Sequence, residues 1–111
     1  MKKLFTNYNF EFDKNEKKLL ATFCKQTLKQ TESDSKFFAE SKAFSAILEK
    51  LNSAQYPIKL TKDERTRLEH QLNENVKFIR KEIPKSGFIK KFLYKSMLKQ
   101  YENILNKHFK N

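Results

Sequence analysis

Turn-forming residues are scarce in this chain, and that scarcity limits the folds open to it. The 111 residues include one glycine and two prolines, while apolar residues make up 38% and charged residues 33%. So few breaks are typical of a handful of long helices joined by short polar loops. Eleven phenylalanines and no tryptophan predict a core packed largely by phenylalanine rings. The length predicts a single domain over residues 1–111.

The clearest helix lies between Thr61 and Ile83, where both ends and one apolar face can be read. Thr61 and Glu64 match the S/T-x-x-E capping box, in which each side chain satisfies a backbone N–H at the helix start. Pro84 ends the helix, and Gly87 predicts an exit through a left-handed backbone conformation. Apolar side chains recur on one face at spacings of three or four residues: Leu68, Leu72, Val76, Ile79 and Ile83.

Three more segments have the helical spacing of apolar residues, and Asp13 with Glu16 predicts a capped start for the first. The expected helices are 14–30, 36–52, 62–82 and 88–109. We therefore predict an all-α fold, an antiparallel four-helix bundle over residues 13–111 with an extended N-terminal aromatic arm. The alternative is a three-helix core whose first or last helix is displaced into a dimer.

Each predicted helix has a single apolar face. For the second helix the expected buried residues are Phe37, Phe44, Ile47, Leu48 and Leu51. For the last helix they are Leu93, Tyr94, Met97, Leu98, Tyr101, Ile104 and Leu105. Phe88, Ile89 and Phe92 project elsewhere, so this first turn is either buried in a corner of the core or an exposed apolar patch.

The first twelve residues have the period-two pattern of an extended chain, with Tyr8, Phe10 and Phe12 on one side. No second convincing strand follows, so we expect an arm over residues 1–12 that its aromatics hold against the core. Leu4 and Phe5 could assist, and a swapped arm on a second subunit is the alternative.

A single cysteine, Cys24, excludes an intramolecular disulfide and is typical of a reducing compartment. It lies within the apolar face of the first helix, so we interpret it as a core residue rather than a nucleophile. The basic N-terminus is not followed by the apolar stretch of a signal peptide, and no apolar run is long enough to span a bilayer. We expect a cytoplasmic location.

Basic residues give the chain a formal net charge of +11, and only three of the 24 are arginines. Solvated surface accounts for much of such a charge, although it also suits an anionic partner. The excess is greatest where the last two helices meet, and Glu82 is the one acidic residue within that stretch. The candidate residues for an anionic partner are Lys77, Arg80, Lys81, Lys85, Lys90, Lys91, Lys95 and Lys99.

Aromatic side chains alternate with these basic residues, and Phe78, Phe88 and Phe92 form a candidate apolar contact patch. Lysines on phosphates and aromatics stacked on bases would suit nucleic acid, but no recognisable nucleic-acid motif accompanies them. A membrane surface is the partner that we expect least.

Catalytic signals are weaker still. His70 and Glu74 lie one turn apart on the central helix, with Asp63 nearby in sequence, but no metal or catalytic motif is present. We predict no catalytic residue, no metal site and no cofactor. The leading hypothesis is a non-catalytic interaction module that binds another protein or forms a homodimer. The alternative is nucleic-acid binding through the basic end of the 61–109 helical hairpin.

Overall fold

A computed structural model describes residues 8–110, and within that range the fold is all-α. It contains four α-helices, α1 to α4, and two three-residue strands, β1 and β2. In chain order the elements are β1 Tyr8–Phe10, α1 Lys14–Thr31, α2 Phe38–Asn52, β2 Ile58–Leu60, α3 Lys62–Glu82 and α4 Phe88–Ile104. The predicted class and the four helices are confirmed. A π-helical turn, Leu105–Phe109, follows α4 and accounts for the longer range predicted for the last helix.

The chain divides into two compact units between Arg67 and Leu68, within α3. In the first unit α1 and α2 pack against each other as an antiparallel pair. The Phe23 and Phe44 rings meet edge to face with centroids 6.4 Å apart. Near the connection between the two helices the Ser41 hydroxyl donates to the Thr31 hydroxyl over 2.8 Å. The helices therefore enclose a phenylalanine-rich core, as the composition predicts.

The described part of the N-terminal arm is extended and held by its aromatics, as predicted, but the expectation that no second strand follows was wrong. β1 pairs antiparallel with β2 of the same chain, with Tyr8 opposite Leu60 and Phe10 opposite Ile58. Phe10 and Phe12 are buried, and their rings stack with centroids 5.0 Å apart. The partner strand escaped notice because three alternating residues are too few to distinguish a strand from a loop. Leu4 and Phe5, also assigned to the arm, lie outside the described residues.

Glu64 holds the start of α3 through both predicted and unpredicted contacts. The capping box is confirmed, because the Glu64 carboxylate accepts from the Thr61 N–H at 3.0 Å and the Thr61 hydroxyl accepts from the Glu64 N–H at 3.1 Å. The same carboxylate accepts from Lys50 Nζ of α2 over 2.6 Å. Glu64 is only 8% exposed, whereas the Lys50 side chain is 31% exposed, so the carboxylate is the buried partner of this charge-assisted hydrogen bond.

Three positions at the ends of helices differ from the sequence predictions. Phe37, predicted to be buried, is 41% exposed, because it ends a 3-10 turn and precedes the regular part of α2. Ile83 is only half-buried for a related reason, since it begins the 3-10 turn Ile83–Lys85. Gly87 has φ −70° and ψ 173°, an extended conformation rather than the predicted left-handed one. It caps the start of α4 instead of ending α3.

The contacts of Glu64 predict that substituting Lys50 destabilises the protein. Lys50→Met leaves the buried carboxylate without its cation and should lower the free energy of unfolding by about 2 kcal/mol. The matched change Lys77→Met removes an exposed pair with Glu74 and should cost less than about 0.5 kcal/mol. Urea denaturation measures both, and equal losses would contradict this account of Glu64.

Candidate interaction surface

The start of α4 is set by the segment that precedes it. Ser86 donates through its hydroxyl to the Glu82 carbonyl over 2.6 Å, which closes the end of α3. The chain then extends at Gly87, whose carbonyl accepts from the Lys91 N–H at 2.8 Å. No side chain caps this end of α4. The helix therefore begins immediately with the apolar residue Phe88.

Large apolar side chains lie exposed along the first turns of α4. Phe88 is 90% exposed, and the exposed fractions of Ile89, Phe92 and Leu93 are 74%, 72% and 54%. Since successive helical residues turn by about 100°, these four cover roughly 140° of the helix surface. We call this set, Phe88, Ile89, Phe92 and Leu93, the α4 apolar stripe. Of the two arrangements predicted for this turn, the structure has the exposed one.

The packed side of α4 faces away from the stripe. Tyr101 is buried and Tyr94 and Leu98 are half-buried, and all three lie on the other side of the helix. Leu93 was predicted on the packed side, which is wrong. At about 140° from Phe88 around the helix, it lies nearer to Ile89 than to Tyr94.

Contacts within the second unit show why the first turns of α4 remain exposed. Arg80 of α3 forms an ion pair with Glu102 of α4, and the Tyr101 hydroxyl shares a hydrogen bond with the Asn75 side chain. These contacts join α3 to the C-terminal third of α4. Tyr101 and Glu102 lie eight or more residues beyond Leu93, so neither contact covers the first turns of α4.

The predicted basic residues separate into two groups. Lys77 pairs with Glu74 over 3.4 Å and Arg80 pairs with Glu102, so carboxylates partly neutralise these two. Lys81 is exposed near the end of α3. It is one of six predicted lysines that form no ion pair in the part of the chain that the structure describes: Lys81, Lys85, Lys90, Lys91, Lys95 and Lys99. No Asp or Glu occurs between Ile83 and Tyr101.

Four of these lysines border the α4 apolar stripe. By helical rotation Lys91 and Lys95 lie along one edge and Lys90 lies beside the other, while Lys99 lies in line with Phe88 and Phe92, beyond the C-terminal end of the stripe. Phe78, the third residue of the predicted patch, is 54% exposed on α3, whereas the stripe belongs to α4 alone. The predicted contact patch included Phe88 and Phe92 but neither Ile89 nor Leu93. The helical angles of Ile89 and Leu93 relative to Phe88 could have assigned them to the same face.

The residues considered for catalysis are not assembled into a site. Arg67 Nε donates to the Asp63 carboxylate over 3.0 Å, Glu74 accepts from Lys77, and His70 is exposed. Within residues 8–110 no three His, Cys, Asp or Glu side chains come together as metal ligands would.

A shallow groove of about 700 Å³ beside α1 and α2 was not predicted. Its lining mixes apolar and charged side chains, including Leu28, Phe38, Leu48, Glu32, Lys42 and Glu49. Phe38 at its edge is 67% exposed. The lining has no consistent charge that would select one class of ligand.

Comparison of the chain with protein families, curated proteins and solved structures finds no match. None of the described helices has both the length and the apolar character that crossing a bilayer requires.

Cys24 provides a test of the buried core. It is fully buried, and burial raises the pKa of its thiol from 9.0 to about 12. We expect slow reaction with a thiol reagent at neutral pH and fast reaction after denaturation. The thiol ionises at a lower pH in the unfolded protein than in the folded protein. The stability that the buried thiol contributes should therefore be lost as the pH rises from about 9 to about 12. Cys24→Ala should not show this loss. Equal thiol reactivity in the folded and unfolded protein would contradict this placement.

Proposed function

We propose that the protein is a non-catalytic interaction module and that the α4 apolar stripe is its docking surface. The observation that supports this proposal is the exposure of Phe88, Ile89, Phe92 and Leu93, which ranges from 54% to 90%. Exposed groups of this kind commonly mark sites of interaction, because covering them releases apolar surface from water. Binding, rather than a reaction, is therefore the activity that we assign to the second unit.

The sequence hypothesis allowed either another protein or a second copy of the chain as the partner. The lysine border disfavours a second copy, since a twofold contact through the stripe would bring the same lysines of both copies together. Like charges in one interface raise the free energy of association. We therefore propose a partner other than the chain itself.

Nucleic acid remains the alternative, and the six predicted lysines without ion pairs support it. Two features weigh against it. All of these unpaired basic residues are lysines, whereas arginine is the side chain that best reads base edges. Ile89 and Leu93 supply no aromatic face for stacking.

We also propose a cytoplasmic location, to which the free, buried thiol of Cys24 is suited.

Site-specific photo-crosslinking in cells tests the docking surface. A benzophenone amino acid at Phe88 should form adducts, whereas the same group at the exposed His70 of α3 should form few. Adding Ile89→Asp and Leu93→Asp should reduce the Phe88 adducts at least about tenfold, because charged groups would replace the apolar contact. Equal adduct yields at the two positions, or yields unchanged by the aspartates, would contradict the proposal.

A further inference from the structure

We infer that the α4 apolar stripe docks on an anionic phospholipid bilayer, with the stripe in the interfacial region and its lysines on the headgroup phosphates. The inference rests on the proposed function, because it uses the same surface and names what covers it. From the sequence a membrane surface was the least expected partner, because these side chains could also have been core residues. Their exposure to solvent now favours a membrane surface.

The shape and composition of the stripe suit insertion between headgroups. Phe88 is 90% exposed and therefore protrudes, and the residues beside it are Ile, Phe and Leu. A basic amphipathic helix with such side chains on one face lies in the interface plane, with the apolar face about 5–10 Å deep. The six residues 88–93 rise about 9 Å along the helix, so only the beginning of α4 needs to enter.

The charges around the stripe select an anionic surface. Lys91 and Lys95 lie along one edge, Lys90 lies beside the other, and Lys99 lies beyond the C-terminal end of the stripe. No acidic residue occurs between Ile83 and Tyr101. Lysine stems can lie along apolar surface while their ammonium groups reach outward to phosphate. Lysines bordering an inserted helix are attracted to anionic lipids, which the cytoplasmic leaflet of cell membranes contains.

A protein partner and a nucleic acid both suit the stripe less well than a bilayer does. A stable protein interface covers about 800 Å² of each partner, more than one and a half helical turns provide, and lysine is depleted from interface cores. A nucleic-acid surface would use aromatic faces and arginine, whereas half of the stripe is aliphatic and its basic border is lysine throughout. A bilayer requires neither a shaped partner nor stacking.

The absence of tryptophan from the sequence permits a direct test with the full chain. Phe88→Trp places a single fluorescent reporter in the stripe, and Phe38→Trp places one on α2 at a side chain that is 67% exposed. Vesicles of phosphatidylcholine mixed with phosphatidylglycerol should shift the Phe88→Trp emission to shorter wavelength. Pure phosphatidylcholine vesicles should not, and Phe38→Trp should respond to neither.

Two triple variants separate local charge from net charge. Changing Lys91, Lys95 and Lys99 to Gln should weaken binding of the Phe88→Trp protein to the anionic vesicles on the order of 100-fold. Changing Lys14, Lys18 and Lys25 of α1 to Gln removes the same charge and should change binding far less. Circular dichroism verifies that each variant is folded.

Several outcomes would overturn the inference: no emission shift with anionic vesicles, an equal shift for Phe38→Trp, or equal losses in the two triple variants. A mixed-sequence single-stranded oligonucleotide that shifts the Phe88→Trp emission when vesicles do not would assign the surface to nucleic acid. If vesicles fail but a crosslinker at Phe88 still captures a protein in a stripe-dependent way, the inference fails and the proposed function stands. If both experiments fail, both proposals fail.

Discussion

The first compact unit depends on the buried carboxylate of Glu64. It closes the first turn of α3 by accepting the Thr61 N–H and holds Lys50 of α2 at 2.6 Å. Thr61 directly follows β2, whose residue Leu60 lies opposite Tyr8 of β1. One acidic side chain thus links α2 to the start of α3, directly after the paired strand.

Features that depend on neighbours in sequence could be predicted. Both capping boxes, Asp13 with Glu16 and Thr61 with Glu64, form as expected because each closes within three residues. The apolar positions of α3 from Leu68 to Ile79 are buried as their spacing indicates. Cys24 is likewise buried among the apolar residues of α1. These results follow from helical rotation alone.

Features that depend on distant contacts could not be predicted. The pairing of β1 with β2 joins residues about fifty positions apart, and three alternating residues carry too weak a signal. The Arg80–Glu102 and Asn75–Tyr101 contacts join α3 to the C-terminal part of α4, and no periodicity indicates them. They leave the first turns of α4 uncovered. The sequence identified Phe88 and Phe92 but could not show whether they are core or surface.

The glycine cap of α4 bears on how firmly its first turn is held. The first backbone hydrogen bond of α4 runs from the Lys91 N–H to the Gly87 carbonyl. The N–H groups of Phe88, Ile89 and Lys90 come before it and have no partner within the helix. No side chain at Gly87 accepts from them, and they are left to solvent. A helix fraying at this end would sacrifice few interactions. The exposed apolar residues are therefore carried by the turn of α4 whose backbone can rearrange at the smallest cost.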